Sequence, residues 1–189
     1  MPRIALLSGS ARAASIHLAL LRAAEAQLAE RGVEVDWLDL GAADLPIYHG
    51  DVDATDGPPA AAAELTGRLA AADGLLIASP EYNGGPSGLL KNGIDWMTRV
   101  DKAAFQGRPI GLLAASPGGK GARHGLGQVE AILRWMLCDV HDTHFSVPTI
   151  NDHLVDGELS GPMLDGLAAW LDGYLAAIGD GSGQSPATP

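Results

Sequence analysis

Three short, almost unbroken apolar runs constrain the fold more than any other feature of the chain: Arg3-Ile4-Ala5-Leu6-Leu7, Gly74-Leu75-Leu76-Ile77-Ala78 and Pro109 to Ala115. Each is brief and lacks the polar alternation of a half-exposed strand, so it suits a strand covered on both faces. Such strands belong to parallel sheets, whose neighbours are joined by crossover connections, usually helices. The intervening segments supply them. From Ser15 to Glu30, Ile16, Ala19, Leu20, Ala23, Ala24 and Leu28 recur at helical spacing, with Ser15 placed to cap the start and Gly32 to end the run. Val33 to Leu40 alternates apolar and acidic residues and predicts a further strand. A loop through Pro46 and Pro58-Pro59 follows. Helices are then expected at about Pro59 to Ala72, Pro86 to Arg99, Arg123 to Leu137 and Gly161 to Ile178, with a fifth strand around His144 to Val147.

Five strands alternating with five helices specify an α/β fold, an open doubly wound parallel sheet in the flavodoxin-like order 2-1-3-4-5 with helices on both faces. Ligands then belong at the carboxyl ends of strands one, three and four. Residues 1–178 form one expected domain, a usual size for a single core, and Gly179 to Pro189, without a large apolar residue, reads as a disordered tail. The formal charge of −11 repels nucleic acid and anionic lipid and points to a small-molecule partner. No apolar run approaches the roughly 20 residues that span a bilayer. The single Cys138 permits no internal disulfide and no leader pattern opens the chain, so the cytoplasm is the expected location.

The strand ends carry the chemistry. After the first strand, Gly9-Ser10-Ala11-Arg12-Ala13-Ala14-Ser15 is a small-residue turn entering a helix, where free N–H groups and the helix dipole favour an anion. Ser10 and Ser15 are hydroxyl donors and Arg12 a cation for a phosphate there; a plain helix cap with a solvated arginine has the same composition. The segment is neither GxGxxG nor GxxxxGK[ST], so a monophosphate fits better than a dinucleotide or a triphosphate. After the third strand, Ser79 to Gly88 concentrates turn formers around Tyr82. Its glycines let backbone approach a flat ring, its N–H groups suit ring heteroatoms, and Tyr82 can wall the site; an ordinary turn-rich connection is the equal alternative on composition. Leu89 to Trp96 reads as a helix with Leu89, Ile94 and Trp96 inward and Lys91 and Asp95 paired at i, i+4. After the fourth strand comes a third glycine-rich turn, Ala115 to Gly121, weak alone but stronger beside the other two.

These motifs, G-S-x-R-x-x-S at Gly9 to Ser15 and P-E-Y-N-G followed by L-K-N-x-I-D-W at Pro80 to Gly84 and Leu90 to Trp96, resemble those of the NAD(P)H-dependent FMN reductases, a flavodoxin-like group that includes quinone, azo-dye and chromate reductases. The resemblance covers roughly Arg3 to Ile178. It implies FMN as cofactor and NAD(P)H as co-substrate, with hydride passing to flavin N5 and on to an acceptor such as a quinone, free flavin, azo compound or metal oxyanion. It implies that Gly9, Ser10, Arg12 and Ser15 hold the FMN phosphate, that Pro80, Glu81, Tyr82, Asn83 and Gly84 border the isoalloxazine, and that Ser116 touches the cofactor. The flavin carries the reaction, so no catalytic side chain is implied. The family commonly has Asn where this chain has His17; a His there can still donate a hydrogen bond, and protonated it would favour phosphate and make FMN affinity slightly pH-dependent, a difference to be read between about pH 5.5 and 8. A homodimer or homotetramer is implied as well. No charged residue in the sequence maps to the ribose 2′ position, which leaves NADH and NADPH open.

Two other classes remain beside the enzyme, a flavodoxin-like electron carrier and a flavin-binding protein without turnover. Flavodoxin carriers have a hydroxyl-rich phosphate loop resembling T-x-T-G-x-T, which SGSARAAS does not match, and this counts against the carrier. His141, Asp142, His144, Asp152 and His153 do not form a metal-binding pattern, so no metal is expected. Cys138, in an apolar run, is expected as a buried packing residue, and Trp37, Trp135 and Trp170 as core or subunit-contact residues.

Overall fold

The computed structural model describes residues 1–180. Strands β1 (Arg3–Ser8), β2 (Glu34–Leu38), β3 (Gly74–Ala78) and β4 (Pro109–Ala115) pair in parallel in the order β2-β1-β3-β4. Beyond β4 the fifth position is filled by two pieces, β5 (Asp139–Val140) against Pro109–Ile110 and β6 (Phe145–Val147) against Leu113–Ala115. The expected order 2-1-3-4-5 is therefore present, but the fifth strand starts five residues earlier than His144 and is interrupted. His141 still donates its N–H to the Ile110 carbonyl (2.9 Å), after which the polar stretch through Thr143 leaves the ladder.

The apolar runs resolve into two faces with a period of two. Ile4, Leu6, Leu76, Ala78 and Leu113 point to one side, where helices α1 (Ile16–Glu30) and α7 (Pro162–Asp180) bury Leu20, Leu21, Leu28, Leu167 and Leu171 against them. Ala5, Leu7, Leu75, Ile77 and Leu112 point to the other, under α4 (Ala60–Ala70), α5 (Gly88–Asp101) and α6 (Arg123–Trp135). At about 2 kcal/mol per buried leucine, this two-sided burial is the main stabilising contribution. Gly111 is required where α7 crosses β4: a Cβ there would lie 2.7 Å from the Trp170 ring and 2.6 Å from Leu76 Cδ2. Cys138 is buried in the second cluster, and burial pushes its thiol up to about 11, which suits the expected packing role.

The stretch through Pro46 and Pro58-Pro59 is more ordered than a loop. It contains the short helices α2 (Leu40–Ala43), capped by the Asp39 carboxylate, and α3 (Gly50–Asp56), capped by His49 Nδ1. Helix α5 grips it: Trp96 Nε1 and Asn92 Nδ2 donate to the Pro46 carbonyl (2.7 and 2.9 Å), Asn92 Oδ1 accepts from Tyr48 N–H (2.8 Å), and Arg99 pairs with Asp53 (2.7 Å). The L-K-N-x-I-D-W segment is thus a clamp. The buried apolar residues of α5 are Leu90, Ile94, Trp96 and Met97, and Leu89, expected inward, is half-buried and packs against the same cluster. Lys91 and Asp95 pair as expected (2.7 Å).

A hairpin of β7 (Leu154–Val155) and β8 (Glu158–Leu159) turns through Asp156-Gly157, both at positive φ as a two-residue turn demands. Helix α7 continues two residues past the expected Ile178, and the proposed tail from residue 181 onward lies outside the described residues. Tyr174, fully buried on α7, stacks on Trp170 and donates to the Pro109 carbonyl at the start of β4 (3.1 Å). Tyr174→Phe removes this bond and should lower the unfolding free energy by about 1 kcal/mol in urea titrations; an unchanged midpoint would show that the bond contributes nothing net.

Candidate functional site

Parallel pairing delivers the loops after β1, β3 and β4 to one edge of the sheet, and two hydrogen bonds tie the first two together. Gly9 N–H donates to the Ala78 carbonyl (2.9 Å), and the buried Ser87 hydroxyl donates to the Gly9 carbonyl (2.5 Å) while accepting from Leu90 N–H as the cap of α5 (3.1 Å). Gly9 permits this approach, since a Cβ there would stand 3.0 Å from Pro80 Cδ. The loop after β4 is fixed differently: Ser116 Oγ donates to the Gly118 carbonyl (2.9 Å), and Thr149 and Ile150 N–H groups donate to the carbonyls of Gly118 and Ser116.

Within the second loop, Tyr82 and Gly85 exchange two backbone hydrogen bonds (2.9 and 3.1 Å) across Asn83 (φ 53°) and Gly84 (φ 79°). This is the tight two-residue turn that Asn-Gly favours. It holds Tyr82 outward, with 58% of its surface exposed. Glu81 is engaged elsewhere on the molecule: its carboxylate accepts from Gly125 N–H (2.8 Å) in the first turn of α6, whose cap residue Ala122 offers no side-chain oxygen. A charge belonging to one loop therefore stabilises the helix that follows another.

The loops enclose a cleft of about 490 Å³, a usual size for a small-molecule site. Of the residues expected from the sequence, Ser10, Arg12, Ser15, His17, Pro80, Glu81, Tyr82 and Ser116 line it together. Gly9, Asn83 and Gly84 do not; they shape the loops behind it. The sequence expectations omit Lys120 and Asn151, which also line the cleft. Lys120 was open to recognition as the only cation in the turn after β4, and Asn151 as a polar group just beyond the end of the fifth strand. A second cavity of about 520 Å³, between α1 and the β7–β8 hairpin, collects no strand ends and has mostly aliphatic walls.

At one end of the cleft stands the N-terminus of α1. Ser15 caps it, accepting from His17 N–H (3.2 Å), and Arg12 is exposed beside it with no hydrogen bond or ion pair among the described residues. Unsatisfied first-turn N–H groups, serine hydroxyls and an unpaired guanidinium make an anion site. His17 departs from expectation. It is buried, and desolvation, with a smaller push from Arg12, lowers its pKa to about 4 against weaker support from the backbone of Ala115 and Ser79. The imidazole is thus neutral between pH 5.5 and 8, and the protonated group expected to favour phosphate is not formed there. Its Nε2 instead faces Ala115 N–H at 3.5 Å, joining α1 to the end of β4.

Residues 2–152 match the sequence family described as NADPH-dependent FMN reductase. The chain is 38% identical over 137 residues to an NAD(P)H-dependent FMN reductase of Pseudomonas aeruginosa, covering 71% of this chain and 70% of that one. It is 29% identical over 178 residues to a quinone reductase of Escherichia coli, with 94% of each covered. Among solved structures it is similar to a flavoenzyme NAD(P)H:(acceptor) oxidoreductase of Paracoccus denitrificans, with a TM-score of 0.80 and 25% identity over 95% of this chain and 98% of that one.

The burial of His17 has a consequence for stability. Its folded pKa lies below the ordinary 6.5, so between about pH 6.5 and 4 the unfolded chain binds more protons and stability falls as pH falls. From pH 7 to pH 5 this group alone should remove about 2 kcal/mol. His17→Asn, measured by urea unfolding of the protein at both pH values, should flatten the slope by that amount; parallel curves for the two proteins would refute the assignment.

Proposed function

Because the chain belongs to the NADPH-dependent FMN reductase family, we propose that it holds FMN in the cleft at the ends of β1, β3 and β4 and reduces a small acceptor, a quinone foremost, at the expense of NAD(P)H. The observation that carries this reading is the convergence on one cleft of an anion site at the start of α1 and a tight-turned loop with an outward tyrosine. The residues fit that cofactor. Ser10, Arg12, Ser15 and the first turn of α1 would hold its phosphate, Pro80, Glu81 and Tyr82 would border its ring system, and Ser116 would meet it from the third loop. Neutral His17 would serve as a fixed hydrogen-bonding group rather than a charge. Asn83 and Gly84 would act by setting the turn that aims Tyr82.

When bound, the flavin supplies the redox chemistry, by which NAD(P)H and a proton convert a quinone to its hydroquinone with release of NAD(P)⁺. The protein's part is to bind, orient and keep one face accessible, and the reading asks for no catalytic acid–base pair or nucleophile of the protein's own. The names of relatives that reduce quinones, including a 2-hydroxy-1,4-benzoquinone reductase of Burkholderia, support a quinone as acceptor.

A homodimer or homotetramer completes the reading. Trp135 at 80% and Leu137 at 72% exposure, at the end of α6, are large apolar groups whose burial between copies would be favourable.

Under anaerobic conditions NADPH or NADH should bleach the absorption of the FMN-loaded protein at about 450 nm, a property of the flavin; flavin left unbleached by both would exclude a reductase. Arg12→Ala should weaken FMN binding about ten- to a hundredfold in fluorescence titrations, the cost of one charge-assisted phosphate contact. Sedimentation of the loaded protein should give the mass of two or four chains, and a fully active monomer would end the oligomer proposal.

A further inference from the structure

The cations of this acidic chain are nearly all spoken for, and those that are not have a common address. Of twelve Lys and Arg residues, six are in ion pairs with carboxylates. Arg108 donates to the carbonyls of Leu69 and Ala72, and Lys102 lies over the Trp135 ring at 5.4 Å. The four without such a partner among the described residues are Arg12, Arg22, Lys120 and Arg123. Arg12 and Lys120 line the flavin cleft, and Arg123 stands just outside it. Three of the four thus gather at one edge of a protein that otherwise repels anions.

Lys120, Arg123 and His124 border a second, more open cavity of about 770 Å³, which shares Glu81, Gly119 and Lys120 with the cleft. The two spaces adjoin at Lys120. Glu81 brings the only carboxylate to this shelf, and that carboxylate already accepts from Gly125 N–H (2.8 Å), whereas Lys120, Arg123 and His124 make no side-chain hydrogen bond among the described residues. His124 packs over the Gly84 turn, with Cδ2 3.3 Å from where a Cβ on that glycine would sit, so the shelf starts directly beside the loop that carries Tyr82.

We infer that Lys120 and Arg123, with His124 beside them, receive a phosphate group of the nicotinamide dinucleotide and so set the protein's affinity for its reductant. The inference rests on the reductase reading above, which assigns Arg12 to the flavin phosphate and leaves Lys120 and Arg123 for a second anion. A dinucleotide with its nicotinamide in the cleft must bring its phosphates out through the mouth, and the shelf is the cationic side of that mouth. An exposed guanidinium free of carboxylate partners binds a phosphate through two N–H groups at once. Without it, a ligand carrying several negative charges would meet only the repulsion of a chain with net charge −11.

The test is calorimetric titration of the FMN-loaded protein with NADP⁺ and with NAD⁺, comparing wild type, Arg123→Gln and Arg123→Lys. Arg123→Gln should weaken binding about tenfold, with partial recovery in Arg123→Lys and a shallower salt dependence than wild type. A loss confined to NADP⁺ identifies the 2′-phosphate as the group held; an equal loss for both identifies the pyrophosphate. Unchanged affinity for both nucleotides in Arg123→Gln, and likewise in Lys120→Gln, overturns the inference. The exposure of Arg123 makes misfolding of the variant separable by thermal unfolding. Bleaching of the wild-type flavin by NADPH stands apart: its failure removes the reductase reading, whereas bleaching with unaltered affinities removes the shelf alone.

Discussion

Three central strands with no solvent-facing side chain beyond Arg3 impose the rest of the architecture. Buried on both faces, they require helices above and below. Running parallel, they require each helix to carry the chain back across the sheet before the next strand begins. The loops after β1, β3 and β4 consequently emerge side by side, and small residues let them touch. The site is a by-product of that burial: Gly9 against Pro80, Ser87 against the Gly9 carbonyl, and His17 against the end of β4 are contacts that only parallel neighbours could make.

The loops are also braced by groups borrowed from one another. Glu81 leaves its own loop to satisfy the first turn of α6, Ser87 serves at once as cap of α5 and partner of the first loop, and α5 holds the Pro46 to Asp53 stretch through Asn92, Trp96 and Arg99. A family signature such as L-K-N-x-I-D-W is therefore a record of packing. Its Asn92 and Trp96 are spent on backbone partners, its Lys91 and Asp95 on each other, and none of its side chains lines the cleft.

The elements with strong local signals were legible in the sequence: the three apolar runs, the long amphipathic helices, the Ser15 and Ser87 caps, and the glycine-rich turns. What escaped had tertiary causes. Helices α2 and α3 are too short to declare themselves by periodicity and exist because side-chain caps and α5 hold them. The fifth strand is divided because the polar residues from His141 to Thr143 cannot sit in a covered ladder. Along α5 the inward reading of Leu89 missed its neighbour Leu90, which is fully buried while Leu89 packs half-buried against the same cluster. The Asp156-Gly157 hairpin did carry its signal, a turn pair between apolar residues, and was legible in principle. In the site, residue types identified eight of the cleft's lining side chains, but the charge state of His17 depended on burial that no spacing reveals, and Lys120 and Asn151 acquired meaning only when the fold brought distant turns together.

The divided fifth strand has a further consequence, for how copies of the chain can meet. An unpaired strand edge is a template onto which another chain can add a strand, and long flat edges invite aggregation. Here one margin of the sheet presents a piece of two residues and a piece of three, separated by a polar detour, and the other is β2, which bears Glu34 and Asp36. The first offers no continuous ladder of free N–H and C=O groups, and the second is a short edge of five residues guarded by acidic side chains. Growth of the sheet from molecule to molecule is thereby obstructed at both ends, and contact between copies is left to helical faces such as that of α6, where selective side-chain packing rather than indiscriminate backbone pairing decides the outcome.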